Sequence, residues 1–504
     1  MTEPTDKNAT RILKETRTNN SQYWENVADR EARALFHRAS ESVPAYRKFL
    51  KKHRIDPKSI TTQKDFKRLP SVSKKDYLRA FPLSELAWGG NLRVPLVFTS
   101  TSGSTGEPFY FPRGHDLSWQ YSLIVEEFLQ RGNIGTTKKN SSTLVILGFG
   151  MGVWIGGLIT YQAFDIAARR GKYPVSIITP GINQGEIIKA LKNLSPQYDR
   201  TILIGYPPFI KDILAAAQSE HIRLEELNLR LMFAAETFSE EFRDYVIKKA
   251  KIRSAYNDML SIYGSADIGA MAGETGIAIL VKRLMKKDER LSKALFGQSI
   301  KMPTIAQFNP YFIQFEEVNG ELLLTGQNAV PLVRYRIGDN GTVFTFDTLE
   351  KKFRECGYDL RKEAKRAGIT NVPKLPFVCI YERSDFSTKL YGATIFPEHV
   401  KAGLTRESLE DVVTGKFTMQ TKFDKKHNAY LEVNVELSPK VVKKIGMEEK
   451  IAECIVKSLR KHSAEYQNNH NHAPVRMIPK VILWPHQDPA YFSPGVKQQW
   501  LKKS

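Results

Sequence analysis

Residues 201–250 read TILIGYPPFIKDILAAAQSEHIRLEELNLRLMFAAETFSEEFRDYVIKKA. TILIG is an unbroken apolar run stopped by Pro207 and Pro208, which cannot continue a ladder. FIKDILAAAQSE carries helical spacing, and LRLMFAAE (229–236) returns to an apolar run. A second helix follows, with Ser239 placed to cap it and Glu240 and Glu241 in its first turn. Unbroken apolar strands suit a parallel sheet covered on both faces. Strand and helix in alternation predict a large, doubly wound α/β domain.

The alternation extends upstream. VSIITP (175–180) precedes a helix at 185–194, and LRVPLVFTS (92–100) precedes a helix at 115–132 capped by Asp116. Leu144–Tyr161 is an 18-residue stretch without charge, long enough to approach a membrane span. Its five glycines break a continuous helix and predict instead a buried strand, a glycine loop and a helix start. An amphipathic helix is expected at 22–52, and another helical stretch at 62–80 broken by Pro70. Downstream, 320–326 and 341–347 read as strands with no helix between them, a β-rich subdomain. After about residue 385 the pattern changes to 415–424, 429–437, a helix at 447–466, and 475–485. The expected organisation is a core over 1–384 and a small mobile α+β domain over 385–504.

The chain has 504 residues, 41% hydrophobic and 26% charged, a balance that excludes wholesale disorder. Its three cysteines, Cys356, Cys379 and Cys454, form neither a disulfide framework nor a zinc pair. The polar start, MTEPTD, is unlike a signal peptide, and a reducing, cytoplasmic setting is expected. Lys and Arg number 75 against 54 Asp and Glu, a net charge of +21. Such a surface attracts polyanions such as ATP, CoA or nucleic acid. The charge is spread, and the lysine-rich helix 440–466 lacks the interleaved aromatics that stack bases, so no nucleic-acid partner is expected. His470-Asn-His472 lies in a polar run that reads as a solvated loop.

Four segments carry chemistry. Thr99–Pro108, TSTSGSTGEP, follows an apolar run and holds six hydroxyls and two glycines. Glycines let backbone N–H groups converge on phosphate, and hydroxyls add donors. No Gly-Lys-Ser/Thr follows, so it is not a Walker A loop. Ile262–Gly269, IYGSADIG, sets a carboxylate in a tight turn, where an oxygen-preferring Mg²⁺ would find a ligand. Pro331–Asp339, PLVRYRIGD, ends in an aspartate suited to a ribose diol, or to an ion pair with Arg334 or Arg336. Glu382–Pro397 is a charged stretch at the domain boundary, suited to a hinge.

In this order the four segments resemble the adenylate-forming acyl-ligase superfamily, and within it the phenylacetate–CoA ligase-like branch that includes capsule-biosynthesis adenylate ligases. ESVPAYRKFL (41–50) and RLPSVSKKDYLR (68–79) add to the resemblance. It implies that Ser102, Gly103, Ser104, Thr105 and Gly106 wrap the β,γ-phosphates of ATP. Ala235 and Glu236 would lie beside adenine, and Tyr263 and Gly264 would stack on it. Asp339 would bind the ribose hydroxyls, and Arg383 ribose or phosphate. Asp267 takes the place of a glutamate that helps hold Mg²⁺, with Glu274 as a helper. Asp385 matches the hinge, and Lys497 best matches the catalytic lysine.

The chain departs from the pattern at several places. Asp267 is one methylene short, Ile337 replaces a threonine, Glu382 replaces a glycine, and Val496 separates Gly495 from Lys497. Lys480 is therefore an alternative catalytic lysine. Phe149, Trp154, Tyr206 and Phe233 are the expected acyl pocket, which suggests an apolar or aromatic acid. The resemblance implies an enzyme that uses ATP and Mg²⁺ to form an acyl-adenylate, then passes the acyl group to CoA. An amine, hydroxyl or carrier protein is the alternative acceptor. A non-catalytic, basic nucleotide-binding protein is the alternative outside enzymes.

Overall fold

The computed structural model describes residues 3–100, 109–131, 141–297, 302–369, 371–383, 387–488 and 491–492. It divides into two compact units. The larger holds the described residues of Met1–Thr99, Tyr110–Gly205 and Ile213–Glu382; the smaller gathers Ser100, Phe109, Tyr206–Asp212 and the described residues from Arg383 onward.

An 11-stranded mixed sheet organises the larger unit. Its order is Ile313–Val318, Glu321–Gly326, Leu332–Phe344, Phe377–Arg383, Thr304–Gln307, Gly269–Gly273, Met259–Ser265, Leu229–Ala234, Arg200–Gly205, Thr143–Gly148 and Val175–Ile178. The last five strands are parallel. Here Val145–Leu147, Ile202–Ile204 and Leu231–Phe233 are all at 0% exposure. Consecutive residues buried on both faces are what the unbroken apolar runs predict. The glycine-rich stretch divides as expected into the strand Thr143–Gly148, a loop, and the helix Ile155–Arg169. Among the described residues no helix is long and apolar enough to cross a membrane.

Several boundaries differ from the sequence reading, for local reasons. The expected helix over 22–52 breaks at Val43, because Pro44 starts a new helix, Pro44–Lys52. Gly114, not Asp116, is the N-cap of His115–Gln130, and Asp116 serves as an acid in the first turn. Val97–Ser100 pairs with Tyr110–Arg113 in a separate two-stranded sheet. The strand expected to reach 347 ends at Phe344, since the Thr345 hydroxyl accepts from Thr348 N and opens a helix at Phe346. The Ser239 cap is present, its Oγ accepting from Phe242 N at 3.2 Å.

The smaller unit carries a three-stranded sheet, Val413–Phe423, Ala429–Leu437 and Lys480–Trp484, with the last pair parallel. Helices Pro397–Leu404 and Met447–His462 accompany it. The expected 447–466 helix stops at Ser463, which caps a further helix, Ala464–His472. His470 and His472 are therefore helical rather than in a loop, and His472 Nδ1 lies 2.8 Å from the Asn468 carbonyl oxygen.

Candidate functional site

The strand Met259–Ser265 turns back into Gly269–Gly273, and the turn between them carries Asp267. Gly264 is dictated by this hairpin: a Cβ there would stand 2.7 Å from the Gly269 carbonyl oxygen. Both Asp267 carboxylate oxygens have partners. Oδ2 accepts from the Tyr335 hydroxyl at 2.6 Å, and Oδ1 faces Lys74 Nζ at 3.2 Å. Its side chain is 13% exposed. Lys74 arrives through the chain's own backbone: Val72 N donates to the Arg334 carbonyl at 3.1 Å, and Arg336 N donates to the Val72 carbonyl at 2.8 Å.

A second tyrosine–carboxylate pair runs the other way between the same two segments. The Tyr263 hydroxyl donates to Asp339 Oδ2 at 2.6 Å. Asp339 is buried and follows Gly338, whose φ of 82° is the left-handed conformation that favours glycine. In the sheet order, three strands separate Met259–Ser265 from Leu332–Phe344. A flat sheet would hold them about 19 Å apart at about 4.8 Å per strand. Direct side-chain contact therefore requires the sheet to twist and curl, bringing Tyr263, Asp267, Tyr335 and Asp339 together.

Arg113, at the end of Tyr110–Arg113, is 2% exposed. Its Nε donates to Thr99 Oγ1 at 3.0 Å, its Nη1 to the Asp267 carbonyl at 3.2 Å, and its Nη2 to the Ala266 carbonyl. Burial pulls its pKa down to about 9, and the Asp267 charge works against that shift. The Phe111 ring lies 4.9 Å from the Arg113 guanidinium and 5.8 Å from Lys74 Nζ. Sequence reasoning missed Lys74, Arg113 and Tyr335 as members of this cluster. Lys74 stands in RLPSVSKKDYLR and Tyr335 within PLVRYRIGD, so proximity to those motifs was the only available signal.

Glu274 does not reinforce Asp267 as a metal ligand, because both its oxygens are committed elsewhere. Arg243 Nη2 donates to Oε2 at 2.7 Å, and Lys282 Nζ to Oε1 at 3.0 Å. Glu240 completes the buried network, accepting from Arg243 Nε at 2.9 Å and pairing with Lys282 at 3.3 Å. Burial alone would raise the Glu274 pKa; the two cations outweigh it and hold the carboxyl below its ordinary range. Among the described residues no group of three or more His, Cys, Asp or Glu stands ready for a metal. Mg²⁺ commonly takes only one or two protein carboxylates plus substrate phosphates. Asp267 is the carboxylate that the resemblance assigns to that role, and a bound Mg²⁺ would have to share its oxygens with the Tyr335 hydroxyl and Lys74.

Ala235 has a φ of 73°, a left-handed conformation unusual for a residue with a Cβ, and Glu236 beside it is buried. Phe238 follows, 4.9 Å from the Phe233 ring, with Arg243 at 4.9 Å and Lys282 at 5.6 Å from its centroid. Phe149, Tyr206 and Phe233 are buried, while Trp154 is half-buried with an indole N–H that finds no hydrogen-bond partner among the described residues. Tyr206 groups with the smaller unit. Lys480 is exposed at the start of Lys480–Trp484, its ammonium 5.5 Å from the Tyr430 ring centre. Arg383 ends the strand Phe377–Arg383, and its side chain is outside the described part. Ser102, Gly103, Ser104, Thr105, Gly106, Asp385 and Lys497 also lie outside the described residues.

No protein-family model matches the chain, and no curated protein matches it in sequence. Solved structures do match. 2-Hydroxyisobutyryl-CoA ligase in complex with 2-HIB-AMP and CoA, in its thioesterification state, aligns with a TM-score of 0.60 and 14% identity. The alignment covers 96% of this chain and 91% of that one. The same ligase in the postadenylation state with 2-HIB-AMP aligns at a TM-score of 0.52 and 14% identity, over 97% and 90%. The chain thus has the α/β fold of adenylate-forming CoA ligases, a large mixed sheet with helices and an additional C-terminal domain.

Proposed function

We propose that this protein uses ATP to convert a carboxylic acid into an acyl-adenylate, releasing pyrophosphate, and then transfers the acyl group to CoA. The observation that carries the reading is the cluster of Tyr263, Asp267 and Asp339, roped to the root of the hydroxyl-rich loop at Thr99 by Arg113. These are the residues to which the resemblance gives adenine, metal and ribose. The fold shared with a ligase described with an acyl-AMP and CoA supports it.

A carboxylate is a poor electrophile until one oxygen becomes part of a good leaving group. Its attack on the α-phosphorus of ATP, with pyrophosphate leaving in line, is governed by positioning and charge neutralisation. Asp339 orients the ribose, and Tyr263 holds Asp339 while its ring meets adenine, with Ala235 and Glu236 alongside. Ser102–Gly106 donate to the β,γ-phosphates. Asp267 would hold Mg²⁺ bound with the nucleotide, which would supply neutralisation of the charge on the pyrophosphate. Lys497, or Lys480, neutralises the α-phosphate oxygens, and Arg383 reaches ribose or phosphate. Losing one such preorganised donor typically costs ~3–4 kcal/mol of barrier. Asp385 serves as the hinge about which the small domain exchanges the adenylating lysine for the CoA-accepting arrangement. Phe149, Trp154, Tyr206 and Phe233 favour an apolar or aromatic acid, in keeping with the phenylacetate–CoA ligase-like branch.

ATP–pyrophosphate exchange across a panel of aliphatic and aromatic acids tests the first step. Acid-dependent exchange is expected; none with any acid, from folded protein that binds ATP, overturns it. Product analysis with and without CoA tests the acceptor, and an adenylate that persists in the presence of CoA overturns the thioester.

A further inference from the structure

We propose that Arg113 is a positioning residue, which locks Thr99 to the turn carrying Asp267 so that this turn keeps the register in which it meets the nucleotide. The inference rests on the ligase reading and extends it to a residue that the motifs do not include.

The manner of burial carries the argument. Arg113 is 2% exposed, yet among the described residues its hydrogen bonds go to neutral oxygens: the Thr99 hydroxyl and the carbonyls of Ala266 and Asp267. A buried cation without a hydrogen-bonded carboxylate is costly, and an apolar residue would fill the same space more cheaply. What an apolar residue cannot do is hold three acceptors from two distant segments in a fixed fork. Thr99 immediately precedes the stretch that supplies the loop hydroxyls, and Asp267 is the carboxylate of the metal assignment. Lys74 and Arg113 share the Phe111 ring, and Lys74 meets the Asp267 carboxylate at 3.2 Å.

The test uses the full-length protein and two readouts, apparent melting temperature without ligand and the dissociation constant for Mg·ATP by calorimetry. Thr99→Val removes one acceptor at constant shape. It is expected to weaken Mg·ATP binding about tenfold, the scale of one hydrogen bond to a charged group, while Thr99→Ser restores it. Asp267→Asn is expected to weaken binding to a similar degree. The double variant should lose about tenfold rather than about a hundredfold, because both changes act through one tethered turn. Arg113→Lys should bind as poorly as Arg113→Met, since an ammonium cannot span the three acceptors. Additive losses, unchanged binding in Thr99→Val, or rescue by Arg113→Lys would each overturn the proposal. If coupling is found but the wild type exchanges no pyrophosphate with any acid, the ligase reading fails and the positioning role stands. If exchange is present and coupling absent, the reverse holds. A wild type that does not bind Mg·ATP sinks both.

Discussion

Glu274→Gln separates a structural carboxylate from a metal ligand. In the native protein Glu274 and Glu240 are 2% exposed, and Arg243 and Lys282 are 0% and 6% exposed. The substitution keeps the shape but removes the charge that meets Arg243 at 2.7 Å and Lys282 at 3.0 Å. Two buried cations, with half-buried Arg283 beside them, are then left to Glu240. Breaking a buried ion pair on one side costs about 3–5 kcal/mol. For a unit of this size that corresponds to roughly 4–8 °C in melting temperature. The pH dependence has a definite sign. Arg243 and Lys282 hold the Glu274 carboxyl below its ordinary 4.5, so its contribution is complete above about pH 5 and is lost as pH falls through the depressed value. The gap between wild type and variant should therefore be full at neutral pH and narrow in acid. Thermal melts from pH 3 to 8, with a Mg²⁺ titration of pyrophosphate exchange at pH 7.5, check this. An unaltered melting temperature together with a raised Mg²⁺ requirement would refute the reasoning and return Glu274 to the metal site.

Three further outcomes are expected. Tyr263→Phe removes the hydroxyl that holds Asp339 at 2.6 Å, and KM for ATP should rise about tenfold with little change in kcat, measured by exchange kinetics; an unchanged KM would detach this pair from nucleotide binding. Ala235→Gly relieves a left-handed alanine at φ 73° and should leave stability unchanged or raise it by up to about 1 kcal/mol, read by thermal melts, whereas a marked loss would show that this conformation carries no strain. A small thiol reagent should titrate half-buried Cys356 alone in the native protein and all three cysteines after denaturation; Cys379 is fully buried, and burial pushes its thiol well above the ordinary range.

The parts of the fold legible in the chain are those set by local chemistry. Runs such as TLVIL, TILIG and LRLMF announce parallel strands because both faces of each are covered, and the Ser239 cap follows from a hydroxyl's reach to a backbone N–H two or three residues on. Ends fixed by a single competing residue were harder to place. Pro44 splits one expected helix, Ser463 another, and Thr345 turns an expected strand end into a helix cap. Of the site, motif order picks out Tyr263, Asp267 and Asp339 but says nothing of how they meet. Lys74 and Asp267 are 193 positions apart, Arg113 and Asp267 154, and Tyr335 and Asp267 68. No periodicity records such pairings, because they arise from how distant segments pack in the folded chain rather than from any property of neighbouring residues. The amino-acid order determined which segments are strands and which are helices. Tertiary structure alone decided that Glu274 belongs to an ion network, and that a buried arginine joins two motifs, since charge burial and contact depend on what the folded chain brings alongside.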